Sequence, residues 1–232
     1  MLPVIGTRLS RVLPHNGILA GLMLFAPLFS SDTSAQIFGG EQAPPPQVSL
    51  ARAEIDVDVP MLGNDLEALL ALVAAGKSLS AAKEEATEKF SAQLREELDA
   101  QLRGYLTDQE VPLIGSGSAL TLHTVVDLSV SKELADIKTG NNHEVERGSL
   151  NASGDFTLQL RDPGGKVLRE KHVDISDLRL QESYQIKSPK DGSAVEDNTQ
   201  QQLQLMMVEL AERLLDRVEG DLEADSLRDL AP

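Results

Sequence analysis

The chain reads as an α+β protein: a mostly antiparallel sheet of four to five strands with helices packed on one face. Three observations predict this. "LTLHTVVDLSV" (Leu120 to Val130) alternates apolar and polar side chains at the period of a half-buried strand. Phe90, Leu94, Leu98 and Leu102 recur every four residues, the spacing of an apolar stripe along a helix. "RDPGGKV" (Arg161 to Val167) has the residues of a tight hairpin turn, because Pro163 presets one dihedral and glycines accept positive φ. Strand first, helices next, paired strands after them and a helix last make one sheet with helices on one side.

The first residues address the chain before they fold it. Arg8 and Arg11 precede any acidic residue, and Gly17 to Phe29 is an uninterrupted apolar run of 13 residues. A bilayer core needs about 20 apolar residues in a helix, so the run is too short to span. A basic start, a short apolar middle and the small residues Thr33-Ser34-Ala35 describe a secretory signal peptide over residues 1–35, cut between Ala35 and Gln36. The chain contains no cysteine, which excludes a thioether-linked lipid anchor and any disulfide. The expected location is the periplasm, or outside the cell.

Composition sets further bounds. Hydrophobic residues are 41% of the chain, but aromatics are only 3% and tryptophan is absent, so the core must be aliphatic. The formal net charge of −16 repels nucleic acid and anionic surfaces.

The elements follow in order. Residues 36–50, with Pro44-Pro45-Pro46, are expected to be an extended linker with no core to join. "RAEIDVDV" alternates, with Ile55, Val57 and Val59 inward and Glu54, Asp56 and Asp58 outward, and Pro60 closes it. Asn64, Glu67 and Gly76 supply the start and stop of a short helix. The striped helix is expected to start at a Ser80 cap and end near Gly104. After the strand at Leu120 to Val130 and a loop around Gly140-Asn141-Asn142, a second run points Phe156, Leu158 and Leu160 inward. Its return strand covers roughly Val167 to Ile175 and leads into another around Leu178 to Ile186. Thr199 and Gln202 form a capping box for a last helix to about Glu219, whose stripe is Leu203, Met207, Leu210, Leu214 and Val218. The single domain is thus set at residues 51–221, with an acidic flexible tail at 222–232.

No catalytic, cofactor or metal constellation emerges. His123, His143 and His172 lack the close spacing that a zinc site requires. Glu54, Asp56 and Asp58 resemble the start of a calcium loop, but Val59 replaces its glycine and the residues are those of a strand face. No serine sits in a nucleophile elbow, and "GSGSAL" lacks the last glycine of a dinucleotide fingerprint. Asn151-Ala152-Ser153 fits a glycosylation acceptor only on a eukaryotic secretory route. The stripe on the last helix is read as covering its own sheet rather than a partner.

One resemblance rests on "KFSAQLREELDAQL", "ALTLHTVVDLSVSK", "ASGDFTLQLRDPGGKVL" and "AVEDNTQQQLQLMMVELAERLLDRV". In this order they resemble the lipopolysaccharide-assembly lipoprotein that plugs the outer-membrane translocon. The last stretch carries most of the likeness, since that family also enters its final helix through an acidic-Asn segment, glutamines and an "AERLL"-like run. The likeness spans roughly Arg52 to Val218, and curli-secretion and penicillin-binding-protein activator lipoproteins have similar layouts. This chain departs from the family in having Gln36 where the lipid-bearing cysteine would stand. Its acidity disfavours lipopolysaccharide as a ligand. The resemblance implies a non-enzymatic envelope protein that binds another envelope component, such as an outer-membrane β-barrel or a secretion protein. The expected contacts are an exposed sheet edge or the hairpin tip Asp162, Pro163, Gly164, Gly165 and Lys166. The alternatives are an exported hydrolase, with His123 or His172 beside a serine and an acid in a pocket, and an acidic structural envelope protein.

Overall fold

Two strands dominate the molecule, and everything else is laid against them. The computed structural model describes residues 46–60, 78–115 and 117–231. In chain order these form β1 (Val48–Leu50), β2 (Glu54–Asp58), α1 (Leu79–Asp108), β3 (Leu120–Thr139) and β4 (His143–Arg161). They continue as β5 (Val167–Asp174), a 3-10 turn (Ile175–Leu178), β6 (Gln181–Pro189), β7 (Glu196–Asp197), α2 (Thr199–Leu222) and α3 (Ala224–Arg228). β3 and β4 pair antiparallel over almost their whole lengths. One edge of β3 takes β1 and then β2, both parallel to it. The far edge of β4 is shared, β5 running along Asp155 to Arg161 and β6 along His143 to Asn151. The sheet therefore has seven strands instead of four or five, and it is mostly antiparallel with helices, the α+β class.

The expected periodicities account for the core. On β3, Leu120, Leu122, Val126, Leu128 and Val130 are buried, and Thr124 joins them. On β4 the buried residues include Phe156, Leu158 and Leu160, and the α1 stripe Phe90, Leu94, Leu98 and Leu102 extends to Leu106. All five α2 positions from Leu203 to Val218 are buried in the same cluster. Each such aliphatic side chain contributes about 1.5–3 kcal/mol on burial, so a core with only two fully buried phenylalanines suffices through numbers of leucines. The parallel pairing of β2 with β3 follows from the chain between them, since a parallel return needs a crossover that α1 supplies.

Several boundaries differ from expectation, each for a local reason. The extended stretch to residue 50 does join the core. Val48 is wholly buried, donates its amide to the carbonyl of Pro112 at 2.9 Å and accepts from the amide of Ile114 at 2.9 Å. Three residues are too few for alternation to show beside a proline run. The return strand and the strand after it are both present, and between them Ile175 and Leu178 are buried in a 3-10 turn ended by Arg179 at φ 53°. α1 is capped by Ser78, whose hydroxyl accepts from the Ala81 amide at 3.2 Å, and it runs through Gly104 to Asp108. α2 likewise runs past Gly220 to Leu222. Its first residue is no cap: the Thr199 hydroxyl is buried without a partner, while its amide donates to the Asp197 carboxylate at 2.8 Å. The acidic end is folded as well, because Leu222 and Leu227 are buried and α3 holds the second of them. The signal peptide, its cleavage point, most of the linker and the short helix at 64–76 lie outside the described residues. Among the described residues, no helix is long and apolar enough to cross a membrane.

Candidate binding surfaces

Among the described residues, β3 leaves a long edge of the sheet open. β2 ends against Ser129, so among the described residues β3 has no neighbour on that side from Val130 to Thr139. A bulge falls within this stretch, where Leu134 faces Gly148 and Asp136 faces Arg147, leaving Ala135 extra. The bulge shifts the alternation, so Leu134 and Ile137 share a face although they stand three residues apart. They are 58% and 49% exposed, large values for apolar side chains in an otherwise well-filled fold. An edge of this kind presents unpaired backbone donors and acceptors to any extended segment.

Behind the edge the three strands β3, β4 and β6 are fastened by one polar cluster. Lys132 Nζ lies 4.3 Å from the centre of the Tyr184 ring and 3.0 Å from Glu146 Oε1. The Tyr184 hydroxyl donates to the same carboxylate at 2.9 Å. Burial first, and then the hydrogen bond to Glu146 and its charge, push the Tyr184 phenol up from 10.0 to about 12. Gly148 makes room for the ring, since a Cβ there would meet it at 2.6 Å and the Glu133 carbonyl oxygen at 2.0 Å. On β6, Glu182 is raised above the usual carboxylate range by burial first and then by its neighbour Glu209.

The hairpin tip is bound to itself. The amides of Asp162 and Gly165 donate to the carbonyls of Lys166 and Asp162, each at 2.9 Å. The Lys166 amide donates to the Asp162 carboxylate at 2.9 Å, and Gly165 adopts φ 83°. Pro163, Gly164, Gly165 and Lys166 are exposed, so the tip is a rigid knob that offers one cation to a partner.

The histidines are dispersed over the other face of the sheet and the β3–β4 turn. His123 Nε2 lies 3.2 Å from Glu54, and its Nδ1 is buried without a partner. His172 Nε2 lies 3.1 Å from Asp155 and its Nδ1 is 3.4 Å from the Thr157 hydroxyl. That trio has the order of a hydroxyl, an imidazole and a carboxylate. It stands on an open strand face with His172 59% exposed, where nothing excludes water from it. Among the described residues no three acidic or histidine side chains could hold one metal ion. The register nevertheless sets Asp56, Asp127, Asp155 and Asp174 opposite one another across four successive strands. Register alone joins these four carboxylates, which lie far apart along the chain.

No protein-family profile matches the sequence, and no curated protein matches it. Solved structures similar to the chain include a proposed homolog of a neuraminyllactose-binding hemagglutinin from Helicobacter pylori, at 12% identity and a TM-score of 0.48 over 79% of this chain and 89% of that one. A minor lipoprotein from Acinetobacter baumannii is similar at 15% identity and a TM-score of 0.34, over 75% of this chain and 91% of that one. The rare lipoprotein B of Shewanella oneidensis is similar at 10% identity and 0.27, over 53% and 85%. Bacterial lipoproteins thus recur among the structural neighbours, while likeness at this level assigns neither family nor activity.

Proposed function

We propose that this is a non-catalytic exported protein that acts in cell-envelope or outer-membrane assembly by binding another envelope protein. The observation that carries the reading is the open edge of β3 from Val130 to Thr139, with Leu134 and Ile137 exposed beside unpaired backbone. An extended partner segment would add to this edge as a further strand, the backbone bonds giving affinity and the two apolar side chains giving register. The basic start and short apolar run before Ala35 support export, and the absence of cysteine supports a form released from the membrane. The hairpin tip with Lys166 is the second contact in this reading.

A photo-crosslinking residue at Leu134, in cells, tests it. An adduct with one envelope protein is expected, with none from the same residue at exposed Arg217 on α2. A proline at Ile137, which removes a backbone donor, should abolish the adduct at Leu134. Equal adducts at Leu134 and Arg217, or an adduct indifferent to the proline, would reject the edge as the docking site.

A further inference from the structure

A groove separates α1 from the segment joining β1 to β2, at the packed end of β3 rather than along its open edge. It has a volume of about 400 Å³, within the range of about 300–1,000 Å³ typical of small-molecule sites. Register explains its origin. Leu50 pairs with Leu122 and Glu54 with Val125, so Ala51, Arg52 and Ala53 stand opposite only His123 and Thr124. The extra residue interrupts the edge beside β3, and the groove opens there over Leu98, Leu102 and Leu122, which are 1%, 4% and 1% exposed.

The lining is divided. Leu50, Leu98, Leu102 and Leu122 form one end. Arg52 and Arg95 also line the groove, and Arg95 Nε donates to the Ala53 carbonyl at 3.1 Å. Thr124, 2% exposed, is among the lining residues as well. Arg52 and Arg95 make no ion pair among the described residues, in a chain with 37 acidic residues against 21 basic ones. Arg103, at the apolar end, is already held by Asp99 at 2.6 Å, and Glu96 stands on the exposed rim. Two arginines with no ion pair among the described residues suit a carboxylate, which accepts from both. From Arg95 to Leu102 the helix rises about 10 Å, the length available to an apolar tail.

We infer that this groove binds a medium-chain amphiphilic carboxylate, its head on Arg52 and Arg95 and its tail along the side lined by Leu98, Leu102 and Leu122. Calorimetric titration of the natively processed protein with decanoate, and with decanol as its uncharged counterpart, tests this. One saturable site is expected for decanoate, with decanol at least tenfold weaker. Arg52→Glu, at an exposed position, should weaken decanoate at least tenfold. Ala92→Trp, which fills the groove from its exposed wall, should abolish binding while the protein still unfolds cooperatively. Non-saturable uptake, equal binding of decanol, or decanoate affinity unchanged in both Arg52→Glu and Ala92→Trp would overturn the inference.

Discussion

The two ends of the β3–β4 pair are made of the same strands in the same antiparallel register, yet they are held in different ways. Between Leu120 and Val130, every second side chain of β3 enters a core closed by the helices. Beyond Ser131 no residue of β3 is buried, and strand order is kept by the cluster of Lys132, Glu146 and Tyr184 over Gly148. The packed end draws its stability from apolar area, which is insensitive to pH and to the identity of any one polar contact. The ribbon end depends on that cluster, on one glycine and on the buried Tyr184 and Ile186 that β6 sets opposite Gly148 and Glu146. It is also the end that presents an open edge, as expected of binding elements drawn from the less stable parts of a fold.

The largest expected effect breaks the packed end. Phe156 is wholly buried, and Phe156→Ala should cost about 3–5 kcal/mol in a denaturant titration. Gly148→Ala is the matching change in the ribbon. The backbone contact of 2.0 Å that its Cβ would make forces the strands apart at a cost of about 1–3 kcal/mol. Amide exchange separates the two. Phe156→Ala should speed exchange throughout the sheet, whereas Gly148→Ala should speed it between Ser131 and Ser149 and spare the amides around Leu122 and Leu158. Uniform acceleration in Gly148→Ala would mean that the two ends unfold as one unit.

The same division governs what could be read from the sequence. Alternation at Leu120 to Val130, the stripe on α1 and the stripe on α2 all announced themselves, because a buried face repeats with the period of its element. The ribbon did not, since its apolar residues are sparse and the bulge at Ala135 breaks the period just where Leu134 and Ile137 share a face. β1 was hidden by its three-residue length. The hairpin tip was placed correctly by Pro163 and the glycines, but its hydrogen bonds close on themselves. The groove arises from a mismatch in pairing between Leu50 and Glu54, a property of two distant segments that no local pattern carries.

Tyr184 sharpens the contrast at smaller scale. Tyr184→Phe removes the hydrogen bond to Glu146 and should cost about 1 kcal/mol at neutral pH, with the Lys132–Glu146 pair still in place. Its pH dependence has a definite sign. The folded protein holds the phenol proton more tightly than the unfolded chain, so this stabilisation is complete below the ordinary value of 10.0 and is lost as pH rises toward about 12. Stability should therefore fall across that window in the native chain and fall less steeply in Tyr184→Phe. Parallel curves for the two proteins would show that the ribbon does not rely on the neutral phenol.

The smallest effect concerns the row of Asp56, Asp127, Asp155 and Asp174 on the outer face, which crosses the packed end of the same strands. Like charges directly opposite in neighbouring strands are destabilising, and the cost is of the order of 0.2–1 kcal/mol per pair. Asp127 stands between two other aspartates, so Asp127→Asn relieves two such pairs and should stabilise the protein at low ionic strength. Salt removes the advantage by another route, since the screening length shrinks from about 10 Å at 0.1 M to about 3 Å at 1 M. The stability of the native chain should then rise with salt more steeply than that of Asp127→Asn, and the two should converge near 1 M. A gap that persists at high salt would assign the gain to local packing, and a loss of stability on substitution would mean that the row is held by contacts that outweigh its repulsion.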